Sequence, residues 1–249
     1  MMKKNEAELK AMICDVCNKM WQLGWVAAND GNVSAKLDEQ TIICTPTGIS
    51  KSFITADKLI KIDLQGNVLE AADGYRPSSE IKMHLRCYEE RDDVEAVVHA
   101  HPPVATGFAL AQIPLDNYSL IESSLTIGAI PITPFGMPST EEVPNAISPY
   151  LAEHDVLLLE NHGALSMGSD IVTAYYRMES LELCAKTQYY ARTLMNTQPE
   201  PEISMDRMAD LMAMREKYGI TGRHPGYKKY SHQQEANYEK TQTSSPASV

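Results

Sequence analysis

Long uncharged apolar runs are absent from this chain of 249 residues. No stretch approaches the roughly 18 residues that a membrane-spanning helix requires. The first six residues include the charged Lys3, Lys4 and Glu6 and lead into a helical pattern, unlike the apolar core of a signal peptide. An internal repeat and a mid-chain linker are also missing. We therefore expect a single domain in the cytoplasm, with no membrane partner.

Positive charge is scarce as well. The chain has 22 lysines and arginines against 33 aspartates and glutamates, which gives a net charge of -11 at pH 7. Nucleic-acid backbones are bound by clustered basic residues, so this balance argues against a nucleic-acid partner. A small phosphorylated ligand is still compatible with it, since a local pocket can oppose the global charge.

The cysteine content does not support a disulfide framework. There are five cysteines, an odd number, and they are scattered along the chain. Reduced thiols are therefore expected. Cys14 and Cys17 have the CxxC spacing, but no second pair and no preceding strand accompany them. We interpret them as small residues of an amphipathic helix rather than as a redox or zinc-binding motif.

The spacing of apolar residues predicts a mixed α/β fold, with helices before, within and after a set of antiparallel-looking strands. Helical patterns cover residues 6–23, 78–91, 170–195 and 205–217, and shorter helices are expected to begin near Pro103 and Ser139. Strand patterns cover residues 32–37, 41–45, 59–63, 68–69, 96–101, 129–132 and 156–160. A serine just before Glu80 is the expected N-cap of the helix over 78–91.

Three histidines lie at the ends of predicted strands. His99 and His101 end the apolar run that begins at residue 94, and His162 follows the run over 156–161. Residues i and i+2 of a strand project to the same face, so His99 and His101 would stand side by side if the strand continues through them. Three imidazoles without a thiolate pair are typical of a catalytic zinc site with an open position. Polar groups satisfied at strand ends are the alternative interpretation.

Three short segments carry neutral hydrogen-bond donors suited to an anion. Segment 30–34 places the amide of Asn32 next to a glycine, segment 45–48 is a turn with hydroxyl and backbone donors, and segment 78–80 has two serines at a predicted helix N-terminus. Helix N-termini favour negative charge. Together the segments could hold a phosphate without lysine or arginine, although each alone is an ordinary turn or cap.

The ordered set of these motifs resembles a known family. The motifs are Gly31-Asn32-Val33-Ser34, Thr45-Pro46-Thr47-Gly48, Ser78-Ser79-Glu80, His99-Ala100-His101 and Asn161-His162-Gly163. Between residues 20 and 195, this set resembles the class II aldolase and adducin family, and within it the zinc-dependent L-fuculose-1-phosphate aldolases. The resemblance implies a class II aldolase-like domain over residues 1–225, with a central, mainly antiparallel sheet flanked by helices. A polar tail, partly disordered, is expected over residues 226–249.

The resemblance also implies a role for each matching residue. The family's zinc ligands correspond to His99, His101 and His162. Its acid/base residue, which can also approach the metal in the empty enzyme, corresponds to Glu80. The groups that bind the substrate phosphate correspond to Asn32, Thr47, Gly48, Ser78 and Ser79.

Two tyrosines and an assembly follow from the same resemblance. Tyr118 matches a tyrosine that the family supplies to a neighbouring subunit's site as a proton donor, and Tyr218 matches a C-terminal tyrosine that can close over the site. A homotetramer with cyclic symmetry, sites between subunits and one Zn²⁺ per subunit is therefore implied. A packed surface tyrosine is the alternative for Tyr118.

The implied reaction is reversible cleavage of a phosphorylated sugar, an L-ketose 1-phosphate, to dihydroxyacetone phosphate and a small aldehyde. That aldehyde is L-lactaldehyde if the substrate is L-fuculose 1-phosphate. Segment 134–140 departs from the fuculose enzymes, so an aldolase or dehydratase acting on a 5-deoxypentulose or methylthiopentulose phosphate is an alternative. A pentulose-phosphate 4-epimerase is less favoured, because Phe135-Gly136-Met137-Pro138 stands where those enzymes carry a His-x-Asp-Tyr segment. A non-catalytic adducin-like interaction module would not need the intact histidines and Glu80.

Overall fold

The computed structural model describes residues 5–230, and within that range an eight-stranded sheet forms the centre of the molecule. The strands are β1 (Asn32–Lys36), β2 (Thr41–Cys44), β3 (Ile60–Asp63), β4 (Val68–Glu70), β5 (Ala96–Ala100), β6 (Ile132–Thr133), β7 (Val156–Leu159) and β8 (Gly163–Gly168). Their order across the sheet is β4-β3-β2-β1-β5-β8-β7-β6. Every neighbouring pair is antiparallel except β6 and β7, so the predicted mainly antiparallel sheet is confirmed.

Helices cover both faces of this sheet. They are α1 (Glu6–Gln22), α2 (Ile81–Glu90), α3 (Pro103–Leu110), α4 (Ile121–Thr126), α5 (Glu142–Leu151), α6 (Ile171–Leu194) and α7 (Met205–Lys217). Because side chains alternate along a strand, Ala96 and Val98 of β5 share a core with α1, α3 and α6, while Val97 shares another with α2 and α5. The result is the α/β layer arrangement expected from the sequence.

The register of the central strands brings distant histidines together. In the β1–β5 pair Asn32 lies opposite His99, and in the β5–β8 pair Ala100 lies opposite Ala164. The antiparallel direction places the end of β5 beside the start of β8. His101 and His162 are therefore neighbours, since one follows β5 and the other precedes β8.

One strand is missed and two local predictions are wrong, each for a physical reason. The sequence does not predict β8 (Gly163–Gly168), which has no β-branched residue, has glycine at both ends and is ordered by pairing on both sides. Helix α2 has Glu80 as its N-cap rather than a serine, because Ser78 lies in the preceding turn, where its carbonyl accepts the N–H of Ile81 at 3.1 Å. The expected strand over 129–132 is reduced to β6, because Pro131 has no N–H to donate.

The chain after α7 returns to the body of the protein. Residues 226–230, which fall within the predicted tail, pack near Tyr118 and His154: the carbonyl of Gly226 accepts the Tyr118 hydroxyl at 2.7 Å, and the Tyr230 hydroxyl lies 2.8 Å from His154 Nε2. The remainder of that tail, 231–249, lies outside the described residues. No helix in the described range is long and apolar enough to cross a membrane. All five cysteines are free thiols.

Candidate functional site

The three histidines predicted to form a metal site converge at one edge of the sheet. Their candidate ligand atoms all lie within 4.8 Å of one another. The ring centroids are 5.0 Å apart for His99 and His101, 4.7 Å for His99 and His162, and 5.2 Å for His101 and His162. Strand β5 ends at Ala100, so His101 stands just beyond it rather than within a continued strand. The two side chains still meet, and their Nε2 atoms are 3.2 Å apart.

Backbone contacts position two of these histidines. His99 is fully buried, and its Nδ1 lies 2.9 Å from the carbonyl of Ala164 on β8. A carbonyl only accepts, so Nδ1 carries the proton and Nε2 presents its lone pair towards the other two rings. The backbone N–H of His101 donates to the backbone carbonyl of Trp25 at 2.8 Å. The fold therefore directs ring nitrogens to a common point before any ligand arrives.

Two glycines make room for the histidines. A Cβ on Gly163 would come within 2.5 Å of His101 Cδ2 and 2.6 Å of the Ala100 carbonyl. Gly31 adopts a φ of +70°, and a Cβ there would lie 2.9 Å from the carbonyl of His99. Neither glycine is a predicted ligand, yet both permit the close backbone approach on which the triad depends. The signal for them is their place directly beside Asn32 and His162 in the motifs.

Glu80 faces the triad from the N-cap of α2. Its Oε1 is 3.1 Å from His162 Nε2 and its Oε2 is 3.5 Å from His99 Nε2. The side-chain amide of Asn32 donates to Oε2 at 2.7 Å. Burial alone would raise the pKa of Glu80, but the neighbouring His99 and His162 and the Asn32 hydrogen bond together hold it below its ordinary value. Glu80 is therefore ionised at neutral pH.

The donor set fits a divalent metal. Burial, which disfavours the charged form, lowers the pKa of His99 to about 3 and also lowers that of His101. Both rings are thus neutral at pH 7, the form in which imidazole binds metals. Two ring nitrogens 3.2 Å apart, one of them an acceptor, are best accommodated by a proton or a cation between them. His99, His101 and His162 could hold that cation, with Glu80 beside it.

A cavity of about 170 Å³ opens beside the triad. It is lined by residues of the predicted phosphate segments and of the triad, namely Asn32, Thr47, Ser78, Ser79, Glu80, His101 and His162. Gly48, with a φ of +78°, follows Thr47 in the same turn. A bridge between Pro46 and Pro77 joins that turn to the serine segment. The fold thus brings the predicted anion-binding segments to one cavity, which we call the phosphate cradle.

Hydrogen bonds inside the cradle leave some capacity unused. Asn32 Nδ2 donates to Ser78 Oγ at 3.3 Å as well as to Glu80, whereas the buried Asn32 Oδ1 has no hydrogen-bond partner within residues 5–230. Ser139, which sequence reasoning missed, also lines the cavity and donates to Ser79 Oγ at 2.8 Å. An acceptor left unpaired within a cavity wall is suited to a ligand hydroxyl rather than to a phosphate dianion, which has no proton to donate.

The match to known families is decisive. Residues 11–189 fit the description of the class II aldolase and adducin N-terminal domain. The chain belongs to the class II aldolase and adducin family. This confirms the family predicted from the five motifs.

Individual members of the class II aldolase and adducin family are similar to this chain along most of their length. An L-fuculose phosphate aldolase of Methanocaldococcus jannaschii is 32% identical over 183 residues, which cover 71% of this chain and 93% of that protein. The L-fuculose phosphate aldolase of Escherichia coli K12 is 29% identical over 221 residues, or 88% of this chain and 98% of that protein. A solved structure of L-fuculose 1-phosphate aldolase has a TM-score of 0.76 at 26% identity, covering 85% of this chain and 96% of that one. The chain is therefore a class II aldolase, a lyase.

The two tyrosines predicted for this class II aldolase lie away from the cavity. The Tyr118 hydroxyl is 2.7 Å from the carbonyl of Gly226 and 3.1 Å from that of Lys228, and burial raises the pKa of this tyrosine. Tyr218, the C-cap of α7, is 63% exposed. Within one chain, neither tyrosine lines the cavity around the triad.

A second polar group lies behind Glu80 on α2. Ser34 Oγ is 2.7 Å from His84 Nδ1 and 2.7 Å from the hydroxyl of Tyr88. Burial lowers the pKa of His84 to about 4, so this ring is neutral at pH 7. His84 Nε2 has no hydrogen-bond partner among the described residues. His84 thus supports the helix that carries Glu80 without reaching the cavity lining.

Proposed function

We propose that this class II aldolase reversibly cleaves an L-ketose 1-phosphate, L-fuculose 1-phosphate or a close analogue, to dihydroxyacetone phosphate and a small aldehyde such as L-lactaldehyde. One observation carries the proposal: the cavity lined by His101, His162, an ionised Glu80 and neutral phosphate-binding groups opens beside a cluster of three histidines, whose third member is the buried His99. The named relatives, which are L-fuculose phosphate aldolases, support the same substrate class.

We propose Zn²⁺ as the resident metal, one per subunit, held by His99, His101 and His162. All-nitrogen coordination with an adjacent carboxylate suits zinc and leaves a position for substrate. When bound there, the metal would supply Lewis-acid stabilisation of negative charge on the substrate oxygens as the carbon–carbon bond breaks. The protein's part is to present neutral imidazoles, which burial favours for His99 and His101.

Glu80 is the proposed acid/base. Cleavage removes a proton from the hydroxyl that becomes the aldehyde, and it must return a proton to the carbon released in dihydroxyacetone phosphate. The Glu80 carboxylate, ionised and hydrogen-bonded to Asn32, is placed to carry that second proton. Asn32 then has two parts, orienting Glu80 through Nδ2 and facing the phosphate cradle.

The cradle binds the substrate phosphate in this proposal. Its donors are the side chains and backbone groups of Asn32, Thr47, Gly48, Ser78 and Ser79. The Ser78–Glu80 turn precedes α2, so the positive end of the helix dipole also faces this region. These neutral groups would fix the phosphate and thereby orient the sugar chain towards the triad.

Tyr118 and Tyr218 take part in the proposed reaction only in an assembly of several subunits. We propose a cytoplasmic homotetramer with sites between subunits, in which Tyr118 donates a proton to a neighbouring site and Tyr218 closes over it. The exposure of Tyr218 is consistent with that part. Tyr118 must first exchange its contacts with the carbonyls of Gly226 and Lys228. The free thiols of all five cysteines agree with a reducing compartment.

A second substrate is favoured by one feature of the cavity. Pro138 and Ser139 line it, and they belong to the segment that departs from the fuculose enzymes. A 5-deoxypentulose or methylthiopentulose phosphate is therefore the second candidate, cleaved by the same chemistry at the ketose end.

The test is to incubate zinc-loaded protein with a panel of ketose 1-phosphates and to assay dihydroxyacetone phosphate. Release from L-fuculose 1-phosphate or a deoxypentulose analogue supports the proposal, and the fastest member of the panel identifies the aldehyde. If none of these compounds releases dihydroxyacetone phosphate, the proposal that the protein cleaves a ketose 1-phosphate is overturned. Epimerised or dehydrated product would favour the other reactions of the family. If the purified protein binds less than about one divalent ion per chain and added zinc restores no activity, the result favours a non-catalytic interaction module over an enzyme.

A further inference from the structure

Lys51 is a buried cation that has no anionic partner among the residues the structure describes. The residue begins a short 3₁₀ turn, Lys51–Phe53, and only 1% of it is exposed. Its ammonium donates to the carbonyls of Asn29 at 3.3 Å and Ile49 at 3.1 Å. Among residues 5–230, no carboxylate lies within ion-pair distance of this ammonium. The charge is therefore hydrogen-bonded but not neutralised.

The two carbonyls belong to the two loops that build the phosphate cradle. Asn29 lines the cavity and precedes the segment that carries Asn32. Ile49 directly follows Gly48 in the turn after Thr47. The ammonium of Lys51 thus joins both loops from behind the cavity wall. A cradle that has only neutral donors on its surface has a positive charge beneath it.

This placement is energetically unfavourable for the protein alone. Burial lowers the pKa of Lys51, although the negative charges of Asp30 and Glu80 act in the opposite direction. An apolar side chain of similar volume would fill the same space without desolvating a charge. An anionic ligand in the cavity would compensate for that desolvation.

The cavity itself needs positive charge if it is to hold a phosphate dianion. Asp30 and Glu80 both line it, and each carboxylate repels a second anion. The neutral amides and hydroxyls of the cradle reduce this repulsion only in part. Among the lysines and arginines of the described residues, none contributes to the cavity lining. Besides the proposed metal and the helix dipole, the buried ammonium beneath the wall is the protein's own group placed to offset both carboxylates.

We propose that Lys51 is a positioning residue of the phosphate cradle, whose buried ammonium holds the loops of Asn29 and Ile49 together and offsets Asp30 and Glu80 when a phosphorylated ligand binds. This inference rests on the proposed function of the cavity. It assigns the positive charge that the neutral motifs lack.

The test compares the zinc-loaded, full-length protein with its Lys51→Met variant, using inorganic phosphate as the probe in isothermal titration. We expect the dissociation constant for phosphate to rise at least about tenfold, because the offsetting charge is lost. The KM for dihydroxyacetone phosphate in the condensation direction should rise by a similar factor, while kcat stays within about threefold. The unfolding free energy should change little, because relief from desolvating the buried charge offsets the two hydrogen bonds lost to the loop carbonyls.

Two further variants separate charge from shape. Lys58→Met is the matched control, because Lys58 also donates to a backbone carbonyl, that of Phe53 at 2.6 Å, but lies away from the cavity. Its phosphate affinity should equal that of the unaltered protein within about twofold. Lys51→Arg keeps the positive charge and should recover most of the affinity lost in Lys51→Met.

A measurement on the unaltered protein covers the case in which no variant folds. With lysine labelled at Cε with ¹³C, saturating phosphate should shift the Lys51 resonance and raise its titration midpoint, while the Lys58 resonance stays unchanged. An unmoved Lys51 signal would overturn the inference.

The outcomes distinguish this inference from the proposed reaction. Phosphate binding that is equal in Lys51→Met and the unaltered protein overturns the role of Lys51 alone, and lower stability with unchanged affinity marks a structural clamp. Lysine-dependent phosphate binding without dihydroxyacetone phosphate release overturns the reaction and leaves Lys51 in its role. Failure of the unaltered protein to bind phosphate overturns the role of Lys51 and of the phosphate cradle, while dihydroxyacetone phosphate release still decides the reaction.

Discussion

Two buried polar clusters of this protein differ in how fully their charges are paired. Asp155, at the start of β7, is the centre of the first cluster. Its Oδ1 accepts from Arg91 at 2.7 Å, and its Oδ2 accepts from the Arg177 guanidinium and the Arg223 N–H, each at 2.7 Å. Arg91 also donates to Asp93. Each of these charges has an opposite charge beside it.

The cavity beside the histidine triad is built in the opposite way. Within the described range, Lys51 has carbonyl partners but no carboxylate partner, Asn32 Oδ1 has no hydrogen-bond partner, and Glu80 has no lysine or arginine partner. The comparison indicates that the Asp155 cluster fastens the chain after α7 to the sheet, whereas the cavity retains capacity for a metal and a phosphate. Perturbing the first cluster should therefore change stability, and perturbing the second should change activity.

The largest effect should come from Glu80→Gln, which leaves the shape of the cavity intact. Turnover should fall by about 10²–10⁴-fold, because the amide cannot carry the proton. Zinc content, measured by elemental analysis, should remain close to that of the unaltered protein. Full activity in Glu80→Gln would remove this residue from the mechanism.

The corresponding substitution in the Asp155 cluster is Asp155→Asn. Removing this charge leaves Arg91 and Arg177 without their shared partner, so the free energy of unfolding should fall by about 3 kcal/mol or more in urea titration. Activity per folded molecule should be unchanged. Asp93→Asn is the control, since that carboxylate is 44% exposed, and it should lower stability by less than about 1 kcal/mol. Equal losses for the two variants would contradict the distinction.

A smaller effect should appear as a pH dependence of stability. The pKa of His84 is lowered by burial to about 4 from its ordinary value of 6.5, so the unfolded chain binds more protons between these values. Stability should therefore decline as pH falls from 6.5 to 4, by no more than about 3 kcal/mol for this one group. His84→Gln should flatten the slope measured by urea unfolding at successive pH values. Part of the slope should persist, because burial also lowers the pKa of His154 to about 4. An unchanged slope in His84→Gln would show that other groups dominate.

The same contrast explains what the sequence alone could predict. His99, His101, His162 and Glu80 lie in short motifs, and the strand period together with the order of the motifs indicates their convergence. The sheet follows similarly from local patterns. Strand β8 does not, because it has no β-branched or aromatic residue and is ordered by its two neighbouring strands.

Lys51 shows why other parts of the site escape sequence reasoning. A lysine between two serines has the local signature of a solvated turn, and only the packing of the α1 and β1 regions around it makes it buried. Pairing across long sequence distances is equally invisible, as for Tyr118 with Gly226 and Asp155 with Arg223. Burial and long-range partners are properties of the tertiary structure, so short sequence motifs do not predict them.

The most direct test of the account is a zinc titration of the metal-stripped protein, with bound zinc and dihydroxyacetone phosphate release measured on the same samples. We predict that release from a ketose 1-phosphate rises in proportion to bound zinc and reaches its plateau at about one zinc per chain. Cleavage by the metal-free chain at the plateau rate would contradict a metal-dependent aldolase centred on the three histidines.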